Sequence, residues 1–169
     1  MSDAAERALD QLDIYTTMSR YCHGVDRCDL AILKSAFWSD ATCNYSDQDI
    51  DAMTWAENCV KGISQMERTL HTIGNHWIQV DGDKATGETY CLAYHLLKNE
   101  EGVLTDMLVG GRYLDHFEKR GGEWKIKSRH YVMDWNHNIP STGNWTTGML
   151  GGLNTGARTP NDPYDRIFG

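Results

Sequence analysis

Thr69-Leu70-His71-Thr72-Ile73-Gly74-Asn75 marks the point where this chain changes period. Upstream of it, Cys59, Ile63, Met66 and Leu70 share one side of a stretch from about Ala52 to Thr69, which predicts a helix. Downstream, Leu70 to Val80 reads as a strand that ends at Asp81-Gly82-Asp83, a hairpin signal. Strands then follow one another. Lys84 to Lys98 leads to a turn at Asn99-Glu100-Glu101-Gly102, Leu104 to Lys119 to a turn at Arg120-Gly121-Gly122-Glu123, and Trp124 to Trp135 closes the meander. Each is longer than the common strand of about 5–6 residues. Long antiparallel strands twist and curl, so a concave face is expected.

The N-terminal third is helical. Leu9, Leu12, Met18, Tyr21 and Val25 recur with helical period from about Ala4, and Gly24 is read as the terminator. Asp29 then caps a short helix with Leu30, Leu33 and Phe37 on its apolar face, and Ala41 to Tyr45 makes a short strand. Helices, then a four-stranded meander, then a tail is an α+β order. There is no βαβ alternation. The glycines fit neither GxGxxG after a strand nor GxxxxGK[ST], so no nucleotide site is expected.

At 169 residues the chain is one domain with room for a core. A net charge of −8 argues against general affinity for nucleic acid or anionic membranes. No apolar run reaches the roughly 20 residues of a membrane span. The polar start Met1-Ser2-Asp3-Ala4-Ala5-Glu6-Arg7 lacks a secretory pattern. Cys22, Cys28, Cys43, Cys59 and Cys91 are odd in number and without CxxC spacing, which fits reduced thiols in a cytoplasmic protein. The histidines show no HxH or HExxH pair, so no metal and no other cofactor is expected. From Asn138, glycines and prolines break up any regular element. Trp145, Met149, Leu150, Leu153, Tyr164, Ile167 and Phe168 nevertheless need cover. The division is therefore a domain over 1–137 and a tail over 138–169 that packs on the pocket or on a neighbouring subunit.

A second segment, Arg20-Tyr21-Cys22-His23-Gly24-Val25-Asp26-Arg27, supplies a carboxylate and a phenol that converge on His71 if the first helix crosses the sheet. An Asp orienting a His that takes a proton is the least equipment for acid–base chemistry without a cofactor. Plainer roles stand beside this one: Asp26 as a cap or as a partner of Arg27, Tyr21 as a core residue, and Arg129 on a solvated strand face.

These segments, with "TLHTIGNHWIQVDGDKATG" and "GGRYLDHFEKRGGEWKIKSR", resemble the SnoaL-like branch of the NTF2-like superfamily over roughly residues 5–136. That resemblance implies a cone in which N-terminal helices pack on a strongly curved antiparallel sheet enclosing a cavity, with the dyad at the wall of the largest cavity. Within the branch the chain is similar to cofactor-independent lyases such as bile-acid dehydratase, hexachlorocyclohexane dehydrochlorinase and scytalone dehydratase. Asp26 and His71 match the positions of their orienting Asp and catalytic His. Tyr21 matches the functional Tyr of the bile-acid enzyme, where the dehydrochlorinase has Lys, and Arg129 matches a last-strand Arg. The implied catalytic set is Asp26, His71, Tyr21 and Arg129. Candidate substrate-binding residues are Asn75, Trp38, Tyr45, Trp55, Tyr94, Arg112, Tyr113, Tyr131 and Trp135.

Such walls suit a flat, largely apolar alcohol, for example a lignin-derived diaryl compound or a steroid. The expected reaction is dehydration or elimination, with C–C cleavage releasing formaldehyde as a variant. An isomerase or polyketide cyclase with the same base is an alternative, as are a ring-hydroxylase accessory subunit and a non-catalytic small-molecule-binding module. The resemblance also implies a homo-oligomer, with a trimer favoured over a dimer.

Overall fold

The computed structural model describes residues 3–168. Helices α1 (Asp3–Arg27) and α2 (Leu30–Ser35) are followed by β1 (Phe37–Asn44), β2 (Asp49–Asp51) and α3 (Ala52–Ile63). Four long strands come next: β3 (Arg68–Asp81), β4 (Lys84–Lys98), β5 (Leu104–Arg120) and β6 (Glu123–Pro140). The tail holds a 3-10 turn at Gly148–Leu150 and a short helix, α4 (Pro163–Phe168). No helix among the described residues is long and apolar enough to cross a membrane.

The α+β class stands, but the sheet departs from the expected one. The described residues form a six-stranded sheet in the order β2-β1-β6-β5-β4-β3, and β1 lies parallel to β6, so the sheet is mixed. It is open and not strongly curled, and its two end strands, β2 and β3, do not pair. The strongly curved cone enclosing a cavity is therefore not the architecture. Bulges bend β3 and β6 locally, but closing a sheet needs stagger across every strand pair and a match between the two edges. The pocket at the dyad is an open hollow between the sheet and the helices.

Element ends also moved for physical reasons. Gly24 does not stop α1. It lets α2 cross close by, since a Cβ there would sit 2.5 Å from the Leu33 backbone nitrogen. The helix ends three residues later in a Schellman turn: Cys28 takes the left-handed conformation (φ 54°), its N–H donates to the Val25 carbonyl, and the Asp29 N–H donates to the Gly24 carbonyl. Asp29 then caps α2 by accepting from the Ile32 N–H at 2.9 Å. Phe37, expected on α2, begins β1. The last strand runs past Trp135 to Pro140.

The core lies between α1 and the sheet. Ile14, Met18, Leu33, Phe117, Trp124 and Ile126 are fully buried or nearly so. Thr17 donates its hydroxyl to the Trp124 carbonyl, and the Trp124 indole donates to Asp10, which also pairs with Lys119. These bonds fix the rotation of α1 over the sheet and so fix where its last turn arrives.

Candidate active site

Asp26 sits in the last turn of α1, and His71 is the fourth residue of β3, across which α1 packs. The two residues bond twice. The His71 backbone N–H donates to Asp26 Oδ2 at 2.7 Å, and the ring Nδ1 bonds Oδ1 at 2.7 Å. Both side chains are almost fully buried. An ionised carboxylate only accepts, so Nδ1 carries the proton and Nε2 is the free acceptor. Burial alone would push the Asp26 carboxyl up. The hydrogen bonds and attraction of His71, helped by the nearby Thr69 hydroxyl, outweigh that and hold it below the usual carboxylate value.

His71 opens onto a pocket of about 340 Å³, with Tyr21, Tyr45, Trp55, Tyr113 and Tyr131 among its walls. Two larger hollows, of about 630 and 520 Å³, share Gln79, His116 and Ser128, which alternate away from the dyad. The dyad is thus not at the largest cavity. Tyr45 stacks between Trp55 (4.7 Å) and Tyr131 (5.1 Å), each pair 19° from parallel. Its hydroxyl meets that of Tyr21 at 2.8 Å. Burial pushes both phenols far above their ordinary value, so they act as neutral hydrogen-bonding groups. Cys59 and Cys91 also line the pocket, and burial pushes Cys59 up to about 12, which leaves no thiolate nucleophile at neutral pH.

The other sequence-derived candidates lie elsewhere. Arg129 is fully buried, but behind the wall. Its guanidinium forms a bidentate pair with Asp115 at 2.8 Å and packs in the corner formed by the rings of Tyr21 (4.1 Å) and Tyr113 (4.0 Å), which meet edge-on at 5.4 Å. Asn75 is exposed. Trp38 donates its indole N–H to the Glu118 carbonyl and lies under Arg120. Arg112, on the opposite face, pairs with Asp134 and Glu88. Tyr94 donates to Asp106, and Trp135 covers Gly110 on that same outer face.

Plain alternation along β4, between inward Ala93 and His95, turns Tyr94 outward, and a β-bulge accounts for Trp135. In the β3–β4 hairpin, Gly74 and Asn75 together oppose Tyr90. Without that bulge His71 would face Tyr94; with it, His71 pairs with Ala93, and His95 shares the pocket face. On β6 the extra residue is Asp134. Tyr131 and Met133 keep one face, while Trp135 passes to the other.

His95 is the pocket residue that no motif in the sequence singles out. Its ring meets that of His71 edge-on at 5.3 Å. Burial, reinforced by the neighbouring His71, lowers its pKa to about 4, so it is neutral at pH 7. Its Nδ1 is buried with no hydrogen-bond partner among the described residues. Among the described residues no group of three or more His, Cys, Asp or Glu is arranged to hold a metal ion.

Fold and pocket together define an α+β domain with a buried carboxylate–imidazole pair set in an aromatic hollow. The SnoaL-like domain family matches residues 6–130, and the chain belongs to that family. By sequence, no curated protein matches it significantly. Among solved structures it is similar to a type 2 hexachlorocyclohexane dehydrochlorinase, at 20% identity and TM-score 0.73, over 84% of this chain and 97% of that one. A type 3 dehydrochlorinase from Novosphingobium barchaimii matches at 23% identity and TM-score 0.69, over 84% and 97%. The Kfla4162 protein of Kribbella flavida matches at 17% identity and TM-score 0.70, over 78% and 95%. At these identities the likeness is one of fold.

Proposed function

We propose that the chain is a cofactor-independent lyase acting on an aromatic or polycyclic alcohol. The observation that carries this reading is the doubly bonded Asp26–His71 pair, open through Nε2 to an aromatic pocket. Relatives of this fold named as dehydrochlorinases support an elimination, since loss of HCl and loss of water both need a base and a stabilised leaving group.

Nε2 of His71 takes a proton from the substrate, and Asp26 stabilises the imidazolium that results. On a para-phenolic benzylic alcohol the proton comes from the phenol. The benzylic C–O bond breaks, the departing hydroxide takes back the proton held on His71 and leaves as water, and a quinone methide forms with His71 neutral again. The paired phenols of Tyr21 and Tyr45 donate a hydrogen bond to the departing oxygen. Arg129 acts from behind, holding the Tyr21 and Tyr113 rings and offsetting part of what burial does to them. If a hydroxymethyl group stands beside the quinone methide, its O–H proton passes to a base. The C–C bond then breaks to release formaldehyde, and its electrons return to the ring. Lignin-derived diaryl diols carry both groups. In this reading the enzyme works in the cytoplasm, where its unpaired cysteines stay reduced, and as a homotrimer whose tail over 138–169 completes the pocket.

The test is incubation of phenolic diaryl diols and of hydroxysteroids with the chain, read by mass spectrometry. Loss of the mass of water or formaldehyde, abolished in His71→Gln, is the expected result. Binding without turnover in both proteins would favour a non-catalytic carrier. Turnover without mass change would favour the isomerase or cyclase alternative.

A further inference from the structure

The tail returns to the place where the dyad is anchored. Arg158 lies where the ends of α1 and α3 meet the start of β3, and its guanidinium has four acceptors. These are the backbone carbonyl of Asp26, the Thr69 hydroxyl at 2.8 Å, and the carbonyls of Ile63 and Met66 at 3.3 Å each. Beside it the Thr159 N–H donates to the Arg27 carbonyl at 2.8 Å, and Arg27 pairs with Asp162 at 3.0 Å. The Asp26 and Arg27 carbonyls end α1, where intrahelical donors have run out, and a cation there also suits the helix dipole.

Thr69 makes this more than packing. A guanidinium only donates, so the Thr69 oxygen accepts from Arg158 and its single proton is free to point elsewhere. Thr69 stands two residues before His71, so this bond ties the start of β3 to the end of α1 through one guanidinium. Arg158 thus holds the backbone of Asp26 on one side and Thr69 on the other, while the His71 ring proton meets the Asp26 carboxylate. Four acceptors in different directions call for a planar fork, which a lysine lacks.

We infer that Arg158 is a positioning residue for the Asp26–His71 dyad, with the segment Gly156–Asp162 clamping the end of α1 at Asp26 and Arg27 to the start of β3 at Thr69. The inference rests on the reading of that dyad as the acid–base pair, but its test needs no substrate. In the full-length ¹⁵N-labelled chain, the low-field proton on His71 Nδ1 is identified by its loss in His71→Gln. It is then followed in Arg158→Gln, Thr69→Val and Thr69→Ser, with circular dichroism and Tm to confirm folding. The signal is expected to move upfield and broaden in Arg158→Gln and Thr69→Val and to stay in place in Thr69→Ser, which keeps the hydroxyl. An unmoved signal in either of the first two variants, when folded, overturns the clamp. If Arg158→Gln does not fold, the Thr69 pair decides alone. Turnover that survives in His71→Gln would instead end the lyase reading and leave the spectroscopic result standing.

Discussion

At the scale of single residues, a few groups carry the proposed chemistry, and their environments set what each can do. His71→Gln and Asp26→Asn should each cut turnover by about 10²–10⁴, the usual worth of a positioned acid–base group, with far-ultraviolet circular dichroism unchanged. The amide in Asp26→Asn is the sharper probe, because it can present a donor to Nδ1 and so favours the wrong tautomer. His95 gives a stability signature. It titrates near 6.5 when free and near 4 in the fold, so between those values the unfolded chain binds more protons. Its contribution is complete above about pH 6.5 and is lost as pH falls toward 4. Tm should fall across that window, and His95→Gln should flatten the fall. The flattening is partial, because half-buried His76 is shifted in the same direction. An unchanged slope would mean that His95 is already protonated in the fold. Asp26 adds a further loss at lower pH, as its carboxyl protonates below the ordinary value of 3.8.

At the scale of elements, what the sequence makes legible is set by periodicity. The period change after Thr69 and the two glycine turns locate β4 to the residue, and the Asp26–His71 pairing follows once α1 is laid over β3. Bulges leave no periodic trace, and each one inverts the faces beyond it. The parity that Trp135 shares with Tyr131 and Met133 points it to the pocket, and the bulge at Asp134 reverses it, whereas Tyr94 and His95 follow plain alternation along β4. Arg129 did lie on the buried face, but nothing in the sequence indicated that Asp115 and two rings would enclose it. Arg158 stands in a segment without regular structure, where no pattern assigns a partner. Gly24 illustrates the same limit, since a glycine near a helix end reads as a stop whether it is one or marks a crossing. The crossing makes its own prediction. Gly24→Ala would drive a methyl group into the Leu33 backbone, and separating α1 from α2 should cost about 1–3 kcal/mol, or roughly 3–10 °C in Tm. A Tm within error of wild type would show that the two helices can part freely.

At the scale of the whole molecule, the outer face of the sheet is the part the single chain leaves uncovered. Leu70, Trp77, Leu92 and Trp135 project from it, each roughly half to two-thirds exposed. Leu92, Gly110 and Trp135 are neighbours across β4, β5 and β6, with the indole seated where a Gly110 side chain would go. Contiguous apolar surface of this kind is uncommon on soluble monomers, and a stable interface needs about 800 Å² from each partner. The dyad faces the other way, so each subunit of an assembly would keep its own site. Light scattering at low micromolar concentration should give three times the chain mass of 19.2 kDa. Leu92→Glu should lower that mass while leaving the His71 Nδ1 proton signal where it stands in the wild type, because residue 92 alternates away from the pocket. A wild-type chain that scatters at 19.2 kDa ends the trimer proposal. A Leu92→Glu trimer would move the interface to another surface, with the exposed apolar residues of the tail the next to test.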